Sequence, residues 1–192
     1  MLFKNLLRYA ALSTFLFALA GFAAAQGPVV GTSTTSELAM SANVQTAVQL
    51  NISTDTGNSG ATVSGSNSTG LFSVNFGNVN GLGLGTPTTG VSVSVDGSGA
   101  TYSTPVKLTP VYSGFTTETA KVTVEAGSSA DQGIAREGGA ANSMSAVTST
   151  PAEVITGAAS ESNHTRYVGF RVARTEAAGT KEATFIYTVT VE

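Results

Sequence analysis

A long alternating run over residues 30–52 constrains this chain more than any other feature. Its even positions are apolar or hydroxyl-bearing, and its odd positions are polar apart from two alanines. A period of two predicts a β-strand with one buried face. At about 3.3 Å per residue the run would span about 76 Å, whereas a domain of this size has a radius of gyration of only about 15 Å. The run therefore cannot be one strand of one compact domain.

Two interpretations of this run remain open. The chain bends near Met40 or Ser41, so that both halves belong to the same domain, or the first half leaves its domain and pairs with another molecule. Strands usually hold about 3–10 residues, which agrees with either division. The second interpretation is typical of a fibre subunit.

The first 25 residues predict a cleaved secretory signal peptide. Lys4 and Arg8 precede an apolar stretch over residues 10–22, and Ala23-Ala24-Ala25 gives a small-residue cleavage site. The apolar stretch is shorter than the roughly 20 residues that a membrane span needs, so no span is expected in the mature chain. We expect the protein to be secreted, at the cell surface or in an extracellular filament.

Composition points to a β-rich exported domain. The chain has no cysteine, so packing and sheet hydrogen bonds must hold it together without disulfides. After cleavage, seven Lys and Arg face twelve Asp and Glu, a formal charge of −5. With this net negative charge we expect no basic surface for binding nucleic acid. The remaining 167 residues suffice for one domain with a core.

Short alternating stretches with Gly-rich turns follow the long run. The clearest are residues 72–76, 91–95, 120–126, 168–172 and 185–191. Asp96-Gly97 predicts a hairpin turn, and the prolines at 105 and 110 predict that their segment lies at a sheet edge or is kinked. Residues 127–165 predict long loops with one or two short strands. Seven or eight such strands indicate a single antiparallel β-sandwich, Ig-like or pilin-like, over residues 41–192.

The pattern resembles secreted pilin-like and spore-coat-U-like β-sandwich subunits, in a cysteine-free form. The likeness is carried by the long alternating strand at the mature N-terminus, by residues 72–79 (Phe-Ser-Val-Asn-Phe-Gly-Asn-Val), and by Ala178-Gly179-Thr180 before a C-terminal alternating strand. It spans most of the mature chain.

The resemblance implies donor-strand complementation, in which the N-terminal extension of one subunit fills an open groove in the next. The donor strand would be residues 26–40, with Val30, Leu38 and Met40 in the neighbour's groove. Ala42, Val44, Val48, Leu50 and Ile52 would stay in their own sandwich. The expected partner is the protein itself in a head-to-tail homopolymer, and an export chaperone or outer-membrane assembly protein is a further candidate partner.

A search for catalytic and ligand-binding motifs favours no enzyme. Asp55-Thr56-Gly57 matches a short aspartic-protease signature but has no second copy, so a turn is the better interpretation. The single histidine, His164, lies in a polar stretch that predicts a solvated loop. Asp96 with Ser98 offers oxygen ligands for Ca²⁺ without a full calcium loop. We expect no catalytic residue, no metal and no cofactor.

The sequence thus favours a structural subunit of an extracellular filament (pilus- or fimbria-like) or surface layer. The alternative is a monomeric secreted β-sandwich binding module for carbohydrate or matrix, in which Tyr102, Tyr112 or Tyr167 would stack on sugars.

Overall fold

A computed structural model describes residues 39–192, in which 49% of the residues form β-strands and 4% are helical, and the strands pair antiparallel. Two short 3₁₀ turns, Thr56–Asn58 and Gln132–Ile134, are its only helical segments. The all-β, antiparallel prediction is therefore confirmed. The thirteen strands of the described residues are β1 (Ala47–Thr54), β2 (Val63–Ser66), β3 (Leu71–Val74), β4 (Gly77–Asn78), β5 (Thr86–Pro87), β6 (Ser92–Val95), β7 (Gly99–Ser113), β8 (Ala120–Ala126), β9 (Ala135–Gly138), β10 (Ser145–Ala146), β11 (Ala152–Ala158), β12 (His164–Ala173) and β13 (Phe185–Val191).

The long strand β7 organises the larger sheet. Five strands follow the order β1-β7-β12-β9-β10, and β6 also pairs with β7. Strands β6 and β1 share one side of β7: β6 pairs with its first part and β1 with its second. A three-stranded sheet has the order β11-β8-β13, and β2–β3 and β4–β5 form two small hairpins. The Asp96-Gly97 turn joins β6 to β7 as predicted, because Asp96 N–H donates to the Gly99 carbonyl at 2.9 Å.

The two prolines of β7 do not lie at a sheet edge, which was one of the two predicted alternatives, because β7 is paired on both sides. The Pro105 carbonyl points to Gly60, in the gap between the parts of β7 that pair with β6 and β1. The Pro110 carbonyl accepts from Glu161 N–H at 2.7 Å, beyond the end of the pairing with β12. In antiparallel pairs the N–H and carbonyl of one residue point to the same side. Each proline therefore faces a position where no neighbouring strand accepts a hydrogen bond, so its missing N–H removes no sheet hydrogen bond.

The stretch 127–165 contains more structure than the sequence prediction allowed. Three strands lie there, and β9 pairs with β12 inside the larger sheet. Its four residues, Ala-Arg-Glu-Gly, show no apolar alternation, because Glu137 rather than a hydrophobic residue faces the interior.

Two clusters of buried apolar side chains form the core. The first contains Phe76, Ala100, Tyr102, Val106, Val168 and Val172. The second contains Leu108, Ala120, Val122, Ile155 and Ala158, with Leu50, Ile52, Tyr187 and Val189 packed against it. The second cluster draws residues from both the six-stranded and the three-stranded sheet.

A buried ion pair accompanies the core. Arg166 of β12 donates from Nε to Glu137 Oε1 at 2.7 Å and from Nη2 to Oε2 at 2.8 Å. The Glu137 side chain is 5% exposed. The Tyr187 hydroxyl is buried near this pair and has no hydrogen-bond partner among residues 39–192. Burial, with the nearby Glu137 carboxylate, raises the pKa of Tyr187 well above its usual range.

Candidate assembly surface

The chain that leads into β1 is exposed. Residues 39–46 adopt no regular secondary structure, and the side chains of Met40 and Val44 are 86% and 82% exposed. Val48, the first apolar residue of β1, is 43% exposed, whereas Leu50 and Ile52 pack against the second core cluster. The expectation that Val44 packs in its own domain is therefore wrong. Val30 and Leu38, the other two predicted donor residues, lie outside the described residues.

A second set of exposed apolar side chains surrounds β6. Strand β6 reads Ser-Val-Ser-Val, and its neighbouring loop contributes two leucines. We name this set the β6 surface; its members are Leu82, Leu84, Val93 and Val95, which are 52%, 78%, 37% and 50% exposed. Solvent-exposed apolar residues are common singly, but a contiguous set on one surface is typical of an interaction site.

The leucine loop of the β6 surface is held in place by hydrogen bonds. The Asn80 side-chain oxygen accepts from the backbone N–H groups of Leu82 and Leu84, both at 3.0 Å. Asn80 is itself fixed by the buried Tyr102, whose hydroxyl donates to its carbonyl at 2.9 Å and accepts from its N–H at 3.0 Å. The two leucines are therefore presented to solvent by an ordered backbone.

Gly83 is the residue of this loop that packs against strand β6. It has a φ of +73°, and a side-chain carbon there would collide with Val95 Cγ2 and contact Val93. Only glycine allows this conformation and this close approach at little cost. The backbone of the loop therefore lies directly against the valines of β6, between the two exposed leucines.

The backbone edge of β6 is open as well. Its pairing partner is β7, and no second strand pairs with it in the described part of the chain. Natural edge strands are usually protected by charged residues, proline or bulges. Strand β6 contains none of these, so its free N–H and carbonyl groups and its apolar side chains are available together.

The chain enters β1 far from the β6 surface. Thr46 and Gln45 lie against Gly114, just beyond the end of β7, and Ala47 pairs with Ser113. Val95 pairs with Ala100, at the beginning of β7. Thirteen residue steps separate these two points along β7, which corresponds to about 43 Å. The entry of β1 and the β6 surface therefore lie at opposite ends of the same strand.

The edges of β1 and β13 provide a less suitable site. Their Cα atoms approach within 8 Å although the two strands belong to different sheets. A strand inserted between two others needs about 9.6 Å, twice the usual spacing. A further strand therefore does not fit between β1 and β13 where they approach.

Asp55 occupies a turn, as the sequence predicted. Its side chain caps the 3₁₀ turn Thr56–Asn58 and accepts from Asn58 Nδ2 at 2.8 Å and from Thr165 Oγ1 at 2.6 Å. The Thr165 hydrogen bond, with those from Asn58, lowers the pKa of this buried carboxyl. No group of three or more metal-ligating side chains surrounds it or any other part of the described chain.

The remaining sequence candidates have structural contacts. His164 is a half-buried strand residue at the start of β12, which corrects the loop prediction, and its Nε2 lies 2.9 Å from Ser162 Oγ. Asp96 Oδ1 accepts from Ser98 N–H at 2.8 Å and is paired with Arg171, so it is not a free calcium ligand. Tyr102 is fully buried and cannot stack on a sugar.

Comparison of the chain with protein-family models, curated proteins and solved structures finds no match. The resemblance to pilin-like and spore-coat-U-like subunits therefore stays a prediction. Within residues 39–192, no helix has the length and apolar character needed to span a membrane.

Proposed function

We propose that the protein is a structural subunit of an extracellular filament or surface layer, in which the N-terminal segment of one subunit pairs with the β6 edge of the next. The observation that carries this proposal is the placement of two unpartnered features at opposite ends of β7. One is the exposed approach to β1, which belongs to the alternating run of residues 30–52 and follows the predicted donor segment 26–40. The other is the β6 surface.

Strand addition at β6 would satisfy two requirements at once. The added strand would form main-chain hydrogen bonds with the free edge of β6, and its apolar side chains would cover Val93 and Val95. Burying a largely exposed Val or Leu side chain contributes on the order of 1 kcal/mol. The paired edge provides the direction and the apolar contacts provide much of the affinity.

The two ends of β7 explain why such a contact would produce a polymer. A donor at one end of the subunit and an acceptor at the other end make a heterologous contact, which repeats without closing when the rotation between subunits does not complete a ring. Until the acceptor edge is filled, β6 is an aggregation hazard. An export chaperone or outer-membrane assembly protein that covers this edge is consistent with the proposal.

The proposed fold is a single antiparallel sandwich, Ig-like or pilin-like, formed by the six-stranded and three-stranded sheets. It is supported by the second core cluster, in which Leu108 of β7 and Val122 of β8 share apolar neighbours. The secreted location is proposed from the sequence of residues 1–25 alone.

Deletion of residues 26–40 tests the donor role. The secreted variant should fold as a monomer and form no polymers in negative-stain microscopy, whereas the full mature protein should form filaments. Polymers that persist after the deletion would contradict the donor role. Leu38→Asp should also block assembly, because a buried unpaired carboxylate costs several kcal/mol.

Val95→Lys tests the acceptor role, with Ile186→Lys as the matched control. The two side chains are similarly exposed, at 50% and 44%, and lie on the open edges of different sheets. Val95→Lys should abolish polymers, and Ile186→Lys should leave them unchanged. The reverse result would place the acceptor at β13.

A further inference from the structure

A polar cavity of about 410 Å³ lies on the outer face of the six-stranded sheet. It is lined by Ser94 of β6, Thr101 of β7, Arg171 of β12 and Arg136 of β9, and by Asn142 from the following loop. The register of the sheet places Ser94, Thr101 and Arg171 side by side across three strands, because Ser94 pairs with Thr101 and Thr101 pairs with Arg171. This face is opposite to the one that carries Ala100 and Val172 into the core.

One of the two arginines is already neutralised. Arg171 Nη2 donates to both carboxylate oxygens of Asp96, at 2.6 and 2.7 Å, and Nη1 donates to Thr101 Oγ1 at 3.0 Å. These hydrogen bonds, together with those from Ser98, lower the pKa of Asp96. Arg171 and Asp96 therefore contribute no net charge to the cavity.

Arg136 provides a positive charge without a carboxylate partner. Its Nη1 donates to the carbonyls of Gly133 and Ala135, at 2.9 and 2.8 Å, which fixes the direction of the guanidinium. None of the ion pairs found within residues 39–192 includes it. Burial and the charge of Arg171 lower its pKa, which indicates that an anion there would be stabilising.

The unused donors of Arg136 are the two that suit a carboxylate. Nε and Nη2 of an arginine form a fork, and Arg166 uses this pair to hold both oxygens of Glu137. In Arg136 the same pair donates to no acceptor in the part of the chain that the structure describes, while Nη1 is anchored. Arg136, which lines the cavity, thus keeps the two donors that suit a carboxylate while its Nη1 is anchored to the backbone.

We propose that this cavity binds a sugar that carries one carboxylate, with the carboxylate on Arg136. The single excess positive charge matches one negative charge. The hydroxyls of Ser94 and Thr101 and the amide of Asn142 offer hydrogen bonds to sugar hydroxyls, and the volume lies within the range of small-molecule sites. The lining holds no aromatic side chain, and Met144 and Ala141 are outnumbered by six polar or charged residues, so the cavity suits a hydroxylated ligand better than an apolar one. This site shares strand β6 with the assembly surface but lies on the other face of the sheet, because Ser94 pairs with Thr101 while Val93 and Val95 pair with the buried Tyr102 and Ala100.

Isothermal titration of the purified protein with D-glucuronate, glucose and acetate tests the proposal. Glucuronate should bind at least about 10-fold more tightly than either of the other two, because only it combines the charge and the hydroxyls. Its affinity should fall as salt is added. The ligand could be the free sugar acid or the end of a glycan, and a disaccharide that ends in glucuronate distinguishes the two. If it binds as tightly as glucuronate or more tightly, the ligand is the end of a glycan; if it binds more weakly, the ligand is the free acid.

Arg136→Gln should weaken glucuronate binding about 10-fold or more, and Arg136→Lys, which keeps the charge but lacks the fork, should weaken it less. Lys107→Gln is the matched control, since it removes one positive charge from the same face of β7 about 20 Å away. Thermal melts establish that each variant is folded. Equal binding of glucuronate and acetate, unchanged binding in Arg136→Gln, or an equal loss in Lys107→Gln would overturn the proposal.

Discussion

Strands β6 and β13 are both edge strands, and apart from Ile186 both alternate apolar or aromatic residues with hydroxyl-bearing ones, yet their apolar faces have different surroundings. In β13, residues Phe185, Tyr187, Val189 and Val191 are half-buried and face the core. The end of β13 is also tied down, because Glu192 and Thr119 exchange two backbone hydrogen bonds at 3.0 Å. In β6 the valines are exposed, and so are the leucines of the loop whose Gly83 lies against them.

This comparison shows what a period of two establishes. It identifies the residues that share one face of a strand, but it does not establish whether another layer covers that face. Val93 and Val95 of β6 follow the same period as Val189 and Val191 of β13, and only the fold shows which pair faces the core. An alternating face that its own domain leaves open is a candidate site for another molecule.

The largest expected effect on stability concerns the buried ion pair between Arg166 and Glu137, which lies near Tyr187 of β13. Arg166→Met leaves the buried Glu137 carboxylate without its bidentate partner, and breaking such a pair typically costs about 3–5 kcal/mol. Urea denaturation of the monomeric protein, prepared with residues 26–40 deleted, measures the loss. The double variant Arg166→Met/Glu137→Leu should recover most of it, because no uncompensated charge remains. A loss below 1 kcal/mol in the single variant would show that water reaches the pair.

Asp55 lies in the loop after β1, which occupies the gap between β1 and β6 along β7. A substitution there tests how firmly the β1 side of that gap is held. Asp55→Asn should cost about 1.5–3 kcal/mol at neutral pH by weakening hydrogen bonds from Thr165 and Asn58 to a charged acceptor.

The pH dependence of this effect has a defined sign. The folded-state pKa of Asp55 is lowered from 3.8, so its contribution to stability is present above that value and is lost as the pH falls through the folded-state pKa. The difference in stability between the parent and Asp55→Asn should therefore shrink below about pH 4. Urea midpoints measured from pH 2 to pH 7 check this. A difference that stays constant over this range would contradict the role of the ionised carboxylate.

Paired truncations compare the two strands directly. Val189→Ala in β13 should cost about 1–1.5 kcal/mol, from two lost methyl groups over the core. Val95→Ala in β6 should cost less than about 0.5 kcal/mol in the monomer, because its side chain is already half exposed. Equal losses, measured by urea denaturation, would mean that β6 is covered as well as β13.

Tyr187→Phe is expected to have the smallest effect. The buried hydroxyl lacks a partner among the described residues, so its removal should be neutral or stabilise the fold by up to about 1 kcal/mol. A loss above 1 kcal/mol in the melting or urea experiment would reveal a bound water or another partner of the hydroxyl.

Much of the fold could be predicted from the sequence, and the failures have physical causes. The stretches 120–126 and 185–191 coincide with β8 and β13 because both place one face on the core. β9 escaped prediction because an ion pair takes the place of apolar residues there. Pro105 and Pro110 suggested an edge, but long-range pairing happens to leave their N–H positions free, which no local pattern encodes.

The site was less predictable than the fold. The alternation around Met40 suggested a donor strand, while the acceptor depends on Leu82 and Leu84 lying beside β6, which requires the Asn80–Tyr102 contact between distant parts of the chain. Arg136 lies in a stretch that offered no motif at all, and its importance follows only from its place in the cavity and from its lack of an ion-pair partner within residues 39–192.

Disulfide trapping tests the proposed contact most directly, because the native chain has no cysteine. Protein carrying only Met40→Cys would be mixed with protein carrying only Val93→Cys and oxidised, so that every mixed disulfide joins two different molecules. We expect Met40→Cys and Val93→Cys to form a mixed disulfide dimer. Met40→Cys mixed with Ile186→Cys, on the β13 edge, should form none. Trapping by Ile186→Cys and by neither Val93→Cys nor Val95→Cys would contradict it.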